Sequence, residues 1–222
     1  MLTSLDRPDL ARYVRAQLDN YFPDGERSDV AAVLDHALER LEHCFRRIAL
    51  PQYNRGEHAN FNHLHGDQSA AFYYLAANAA FHRGDLGLAQ KLFLLNKALN
   101  GIVCMYDTEL PSVFAFIHTV GTVVGKAHYG ECVAFFQGVT VGADQGSLPK
   151  VGDYSVMYAG ALVVGNSTLG DGVVVAGNSA VIHQDVPADC VVAGRSPNLT
   201  IAPRKRDVAG QYFRLEVASE RR

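Results

Sequence analysis

Apolar residues recur along the first half of the chain at the three- and four-residue steps of amphipathic helices. The clearest stripe runs over 30–48, where Ser28 is placed to cap a helix and Leu50-Pro51 to end it. Further helices are predicted near 10–18, over 68–81, and along the leucines that precede Asn100-Gly101. These patterns predict a helical cap over residues 1–106.

From about Val124 the hydrophobic period changes to six residues. Neither a helix nor a simple alternating strand repeats every six residues, whereas one flat face and one corner of a triangular β-solenoid do. The aliphatic position then points inward, and the small position lies where the chain turns. The aliphatic residue is the first of each hexad: Val151, Met157, Val163, Leu169, Val175 and Val181. The small residue is the fifth: Ser155, Ala161, Ser167, Val173 and Ser179, with Asp185 as the one fifth residue that is not small.

The same hexad opens at Phe135, but the count slips out of phase between Val141 and Val151. The segment GADQGSLPK is therefore predicted to leave the solenoid as an external loop, a common place for binding. A run of hairpins with Gly-Asn and Gly-Asp turns is the alternative, but it gives no reason for one register across six hexads. Residues 203–222 fit neither period and are predicted to form a loosely packed tail.

Composition narrows the functional classes. The chain has 222 residues, 48% of them hydrophobic and 19% charged, with a formal net charge of −3. Such a balance is typical of a globular protein and favours neither nucleic acid nor an anionic membrane as partner. No stretch reads as a targeting segment or a bilayer span, so the cytoplasm is predicted. The four cysteines lie far apart, which predicts free thiols.

One long stretch carries a family resemblance. The run FIHTVGTVVGKAHYGECVAFFQGVTVG, a loop ending in PKV, and the later segments MYAGALVVGN, VAGNSAVI and AGRSPN resemble the serine acetyltransferases over about Asp107 to Ile201. The resemblance implies an α+β fold in which the N-terminal α-helical cap precedes a left-handed parallel β-helix of hexapeptide repeats, over 107–202. It also implies an acyltransferase with acetyl-CoA as co-substrate and a small-molecule hydroxyl as acceptor.

In this resemblance His118 matches the base that removes the proton from the acceptor hydroxyl. A thioester carbonyl is already electrophilic, so the alcohol needs activation, and an imidazole with a pKa of about 6.5 suits that task. A carboxylate on the other ring nitrogen would fix the tautomer. Glu109 is the first choice for that carboxylate and Asp107 the second.

The resemblance also implies a cofactor cleft between adjacent subunits, and hence a homotrimer with a dimer of trimers as a further option. Backbone groups in the coils and a closing loop at 193–197 would line the cleft, and amides around Gly142 would face the oxyanion. The predicted cofactor-binding residues are Gly142, Ala159, Gly177, Gly194, Arg195 and Pro197.

The acceptor is predicted to contact the polar turn FNHLHGDQ through His63, Asp67 and Gln68, although helix capping alone also explains Asp67. The Arg-His pair that holds the carboxylate of serine in the family is Ser147-Leu148 here. A carboxylate needs a charge-assisted partner. Shortened chains of this type resemble the serine-acetyltransferase-like proteins of surface polysaccharide biosynthesis, and that resemblance favours a sugar hydroxyl as acceptor.

Three alternatives stay open. One is a serine O-acetyltransferase of cysteine biosynthesis. Another is a zinc enzyme like the gamma-type carbonic anhydrases, in which His118, His128 and a histidine of a neighbouring subunit would hold the ion. The third is a non-catalytic scaffold, which the altered acceptor loop would allow and which would bind no CoA. No metal is expected in the main interpretation.

Overall fold

The computed structural model describes residues 1–26 and 29–214. Ser28, predicted as a helix cap, and residues 215–222 of the predicted tail lie outside the described residues. The architecture is the predicted α+β fold, an N-terminal cap of helices followed by a left-handed parallel β-helix.

Four helices build most of the cap, each burying one stripe or more of apolar side chains. Asp6 and Asp85 cap two of them by accepting the N–H groups of Asp9 and Leu88. The last helix ends at Gly101, whose φ of 67° gives the left-handed cap that glycine adopts without strain. The helices are α1 (Arg7–Tyr21), α2 (Ala31–Arg46), α3 (Gly66–His82) and α4 (Leu86–Asn100).

The cap is not purely helical, which the sequence periods did not predict. A small sheet in the order β1-β3-β2 joins the N-terminus to the segment between α2 and α3. A short 3-10 helix, Pro51–Tyr53, leads from α2 into the second strand of this sheet. Its strands are β1 (Leu2–Thr3), β2 (Asn54–Arg55) and β3 (His58–Phe61).

Short strands of the second half stack into a three-sided prism. In chain order they are β4 (Val103–Cys104), β5 (Phe114–Ile117), β6 (Val123–Val124), β7 (His128–Tyr129), β8 (Val133–Phe136), β9 (Thr140–Gly142), β10 (Lys150–Val151), β11 (Val156–Met157), β12 (Leu162–Val164), β13 (Thr168–Leu169), β14 (Val174–Val175), β15 (Ala180–Ile182), β16 (Cys190–Arg195) and β17 (Asn198–Pro203). The first of them, β4, already pairs with β6 and so precedes the predicted boundary at Asp107.

Strand pairing defines the three faces. Face I contains β4, β6, β9, β12 and β15; face II contains β5, β8, β11 and β14; face III contains β7, β10 and β13. Corresponding strands are parallel and three hexads apart, as Val156 with Val174 shows. At the C-terminal end β16 pairs with both β14 and β15 and therefore crosses from face II to face I, and β17 returns antiparallel to it.

The hexad prediction is confirmed by burial. All six predicted inward positions, from Val151 to Val181, are at most 3% exposed. The small fifth positions are buried as well, except Asp185, the one that departs from the rule. Stacking thus builds a continuous apolar column from coil to coil, with each coil supporting the next.

Residues 204–214, the described part of the predicted tail, are not loosely packed, in contrast to the sequence prediction. Residues 204–214, called here the C-terminal strap, cross face II back to the cap. The Ala49 N–H donates to the Tyr212 carbonyl at 2.7 Å, and the Phe213 side chain is only 1% exposed. The Tyr212 ring lies 5.5 Å from that of Phe136, between centroids. A hexad count cannot reveal this contact because the strap pairs with residues far away in sequence.

Candidate active site

His118 lies at the corner where the chain leaves β5 on face II and enters β6 on face I. Its side chain is exposed, and its backbone adopts a left-handed φ of 55°, which is uncommon for residues other than glycine. Its main-chain N–H donates to the Asp67 carboxylate at 2.8 Å. The predicted base is therefore accessible and is tied through its backbone to the N-terminal turn of α3.

A buried polar network fixes the cap against the same corner. The Thr119 hydroxyl donates to the Asn100 carbonyl at 2.7 Å. The Asn100 side chain accepts a hydrogen bond from Ser69 and donates one to Asn96, both at 2.9 Å. Buried polar groups that are paired in this way favour one arrangement over others. The start of α3 and the end of α4 are thus held beside the His118 corner.

Of the three predicted acceptor residues, the structure brings only Asp67 to His118. The buried Gln68 amide serves the cap, since its Oε1 accepts the Asn62 N–H at 2.7 Å and its Nε2 donates to the Gln52 carbonyl. The His63 Nδ1 lies 2.7 Å from the Ser4 hydroxyl. Both ends of the Gln68 amide are thus engaged within the cap, and contacts of Gln68 and His63 with the acceptor stay predictions.

Two features of this turn were not among the predicted site residues. The His65 Nδ1 is buried and has no hydrogen-bond partner among the described residues, while the ring packs edge-on to Tyr53 at 6.0 Å. Leu64 of this turn and Val120, two residues after His118, are 73% and 74% exposed. Two histidines within four residues of Asp67 were the available signal for His65.

The carboxylates predicted to orient His118 are engaged elsewhere. The Glu109 carboxylate lies 2.9 Å from the His82 Nε2, at the C-terminal end of α3. At 1.5 Å per residue, that end is about 22 Å along the helix from Asp67. Asp107 pairs with Lys126 at 2.8 Å, and this hydrogen bond raises the pKa of Lys126. Among the described residues neither carboxylate bonds the His118 ring, so the geometry does not support either assignment.

The predicted cofactor residues gather around face I. Ala159, Gly177 and Gly194 lie on successive coils of the corner that begins with His118, as the hydrogen bond from the Asn178 N–H to the Ala159 carbonyl illustrates. With about 4.8 Å between strands, four coils place Gly194 about 19 Å from His118. A single straight edge therefore joins the predicted base to the predicted closing loop.

The remaining predicted cofactor residues border face I at other points. Gly142 ends β9 at the opposite edge, where the external loop leaves the prism. Arg195 pairs with Ala180 at the C-terminal end of face I, and Pro197 lies in the turn between β16 and β17. Their roles stay predictions, but they frame one face of the prism.

Local electrostatics around the turn involve one carboxylate. Burial, and to a smaller extent the charge of Asp67, raises the pKa of Tyr53 well above its usual range. Tyr53 therefore carries a neutral hydroxyl that donates weakly, at 3.5 Å, to the Phe116 carbonyl.

Burial also raises the pKa of the Cys44 thiol to about 12. This free cysteine is therefore an unreactive residue of the core.

His118 and His128 do not converge. His118 lies at the corner between faces II and I, whereas His128 lies on face III. Over residues 1–26 and 29–214, no three His, Cys, Asp or Glu side chains are grouped closely enough to hold a metal ion. The same part of the chain contains no helix with the length and apolar character needed to cross a membrane.

Comparison with known proteins gives a consistent relationship. Curated relatives are the serine acetyltransferases of Bacillus licheniformis (30% identical over 123 residues) and Bacillus subtilis (31% over 123 residues), each matching 53% of this chain. The match spans 56% of each relative's length, so the chain covers little more than half of them. No protein-family model matches.

Solved structures share the fold. Serine acetyltransferase from Brucella abortus aligns with a TM-score of 0.61 at 21% identity, covering 88% of this chain and 76% of that one. The Vibrio cholerae enzyme gives 0.63 at 21% identity, covering 80% and 70%. A serine acetyltransferase in complex with CoA gives 0.57 at 20% identity, covering 86% and 75%. Sequence and fold together relate the chain to serine acetyltransferase-like hexapeptide-repeat proteins.

Proposed function

We propose that this chain, which resembles the serine acetyltransferases in sequence and in fold, is an acetyl-CoA-dependent O-acetyltransferase. One observation carries the proposal: an exposed histidine stands at the start of the corner along which the predicted cofactor positions lie. A related structure contains CoA, which supports acetyl-CoA as co-substrate. The cytoplasm stays the predicted compartment.

His118 acts as the general base in this proposal. Its imidazole takes the proton of the acceptor hydroxyl as the oxygen attacks the thioester carbonyl. The tetrahedral oxyanion needs N–H donors, for which the backbone around Gly142 of a neighbouring copy, across the shared cleft, is the predicted source. As the carbon–sulfur bond breaks, the imidazolium returns the proton to the departing thiolate. Asp67 holds the His118 backbone while this happens.

We propose L-serine as the acceptor, because the related proteins are named serine acetyltransferases. The comparisons give no support to the sugar hydroxyl that the sequence favoured. Ser147 and Leu148 still leave the acceptor carboxylate without the usual cation, and we expect weak affinity for serine as the consequence. A zinc enzyme would need a third histidine from a neighbouring copy. It would also need His118 and His128 to meet through the contact between copies, because they do not converge within one chain.

A homotrimer fits the way the prism is covered. On face II, the outward-facing Ala134, Val156 and Val174 are at most 4% exposed, because the cap and the C-terminal strap lie over them. Half-buried apolar residues of face I, such as Leu162 and Ile182, have no such cover from residues 1–26 and 29–214. A cleft shared by two prisms would therefore use face I.

The deciding experiment is release of free thiol from acetyl-CoA by the purified full chain. L-serine should give turnover above the rate without acceptor, and a panel of nucleotide sugars should not. Turnover with nucleotide sugars alone would restore the sugar hydroxyl. Absence of CoA binding by calorimetry would remove the acetyltransferase proposal, and a monodisperse monomer by light scattering would contradict the shared cleft.

A further inference from the structure

The external loop is an ordered hairpin. The Asp144 N–H donates to the Ser147 carbonyl at 3.1 Å, and the Ser147 N–H donates to the Asp144 carbonyl at 2.9 Å. Between them Gln145 and Gly146 have φ values of 48° and 77°, as a type I′ turn requires. The loop therefore has a defined shape, and its position on the prism depends on what holds its base.

One side-chain pair holds that base. The His183 Nε2 lies 2.9 Å from the Asp144 Oδ2, and the His183 Nδ1 accepts the Asn166 N–H at 3.1 Å. Since Nδ1 accepts, the ring proton of the neutral imidazole is on Nε2 and is donated to Asp144. The pair connects the hairpin to a coil farther along the prism, at the corner where the chain leaves face I.

The same corner is shaped to receive the ring. A Cβ at Gly165 would overlap the imidazole of His183, so only glycine leaves room for it. The Gly165 N–H also donates to the Gly142 carbonyl at 3.2 Å, directly before the loop departs. His183 itself has a left-handed φ of 49°. These independent features place the ring across the root of the loop.

His183 also borders the predicted cofactor region. It lines a hollow of about 360 Å³ together with Gln184, Ser196 and Pro197. The Gln184 Oε1 is buried in this region and has no partner among the described residues. The ring therefore lies between the hairpin and the closing loop.

We propose that Asp144 and His183 form a latch that fixes the 144–147 hairpin at the edge of face I opposite to His118, so that Ser147 and Leu148 of one copy face the acceptor beside His118 of a neighbouring copy. His183 is a positioning residue in this proposal. The latch itself follows from the contacts alone, whereas its kinetic effect rests on the proposed acetyltransferase function.

The test measures amide hydrogen exchange in the full chain. Asp144→Ala and His183→Ala should each speed exchange of the Ser147 amide about five- to tenfold, which is the size expected for losing a partly exposed charged hydrogen bond. The double variant should add little to either single change, because both remove one contact. Asp144→Asn keeps an acceptor oxygen and should restore most of the protection.

Asp185→Ala is the matched control. Asp185 accepts the Thr168 N–H near the same corner but does not touch the hairpin, so hairpin exchange should stay unchanged. With serine as acceptor, the latch variants should raise KM about tenfold while kcat stays within about twofold.

Unchanged exchange of the Ser147 amide in the Ala variants would overturn the latch. Faster exchange with an unaltered KM would overturn the positioning role. If the unmodified chain turns over no acceptor at all, the proposed function fails, while the exchange data still decide the latch.

Discussion

The Asp67 carboxylate accepts the main-chain N–H of His118 at 2.8 Å and so joins the first turn of α3 to the prism corner. His118 adopts a backbone conformation that residues with a Cβ rarely take, at a cost on the order of 1 kcal/mol or more. The hydrogen bond offsets part of this cost. A contact with the cap thus holds the backbone of the corner that carries the exposed His118 side chain.

Replacement of His118 by Ala should reduce acetyl transfer at least about a hundredfold, because the acceptor hydroxyl loses its base. Circular dichroism and the unfolding midpoint should stay near those of the unmodified chain, since the side chain is exposed. His128→Ala on face III is the control and should retain activity. Comparable losses in both variants, together with bound zinc, would favour the metalloenzyme alternative.

Asp67→Ala should lower kcat about tenfold and the free energy of unfolding by about 1 kcal/mol, because the His118 N–H loses its partner. Asp67→Asn keeps an oxygen in place and should restore kcat.

Asp85→Ala supplies the control for the Asp67 variants. It removes a carboxylate from the start of α4, away from the corner, at a similar cost of about 1 kcal/mol. Its kcat should not change. Equal kcat in the Asp67→Ala and Asp85→Ala variants would show that the Asp67 contact has no catalytic consequence.

Glu109→Gln and Asp107→Asn should each leave kcat within about threefold of the unmodified chain. Glu109 contacts His82 and Asp107 contacts Lys126, so neither removal changes the His118 ring. Steady-state kinetics with saturating acetyl-CoA would measure this. A loss of about a hundredfold in either variant would instead support the orienting role expected from the sequence.

The fold was largely predictable because the sequence contains two hydrophobic periods, one of 3.6 residues and one of six. The hexads place Val163 and Val175 in the core, and stripes of period 3.6 predict α2 to α4 within a few residues. What the periods miss is pairing between distant segments. The β1-β3-β2 sheet and the strap contact of Phe213 with Ile48 leave no repeat in the sequence.

The site was predictable only in part. The motif that contains His118 also predicts the prism corner, so the position of His118 followed from the resemblance. Glu109 was chosen because the resemblance implies an acidic residue upstream of the histidine, yet its carboxylate lies at the His82 end of α3, whereas His118 lies at the Asp67 end. Asp67 was proposed to contact the acceptor, and its bond to the His118 backbone depends on how the cap docks, which no local pattern encodes.

Phe213→Ala should lower the free energy of unfolding by about 3–5 kcal/mol, as expected for emptying a fully buried aromatic site. Tyr212→Phe only removes the hydroxyl that lies 3.3 Å from that of Tyr158, and it should cost no more than about 1.5 kcal/mol. Urea unfolding would measure both. If Phe213→Ala unfolded like the unmodified chain, the strap would not hold the cap on the prism.

Introducing Arg and His together, as Ser147→Arg with Leu148→His, should lower KM for L-serine about tenfold or more. The hairpin would then offer the charge-assisted partners that a carboxylate requires, each worth about 1.5–3 kcal/mol when well placed. Ser147→Asn with Leu148→Gln is the control, because it adds polarity without charge and should change KM little. An unchanged KM for serine in the Arg-His variant, with CoA binding intact, would mean that the hairpin does not face the acceptor carboxylate.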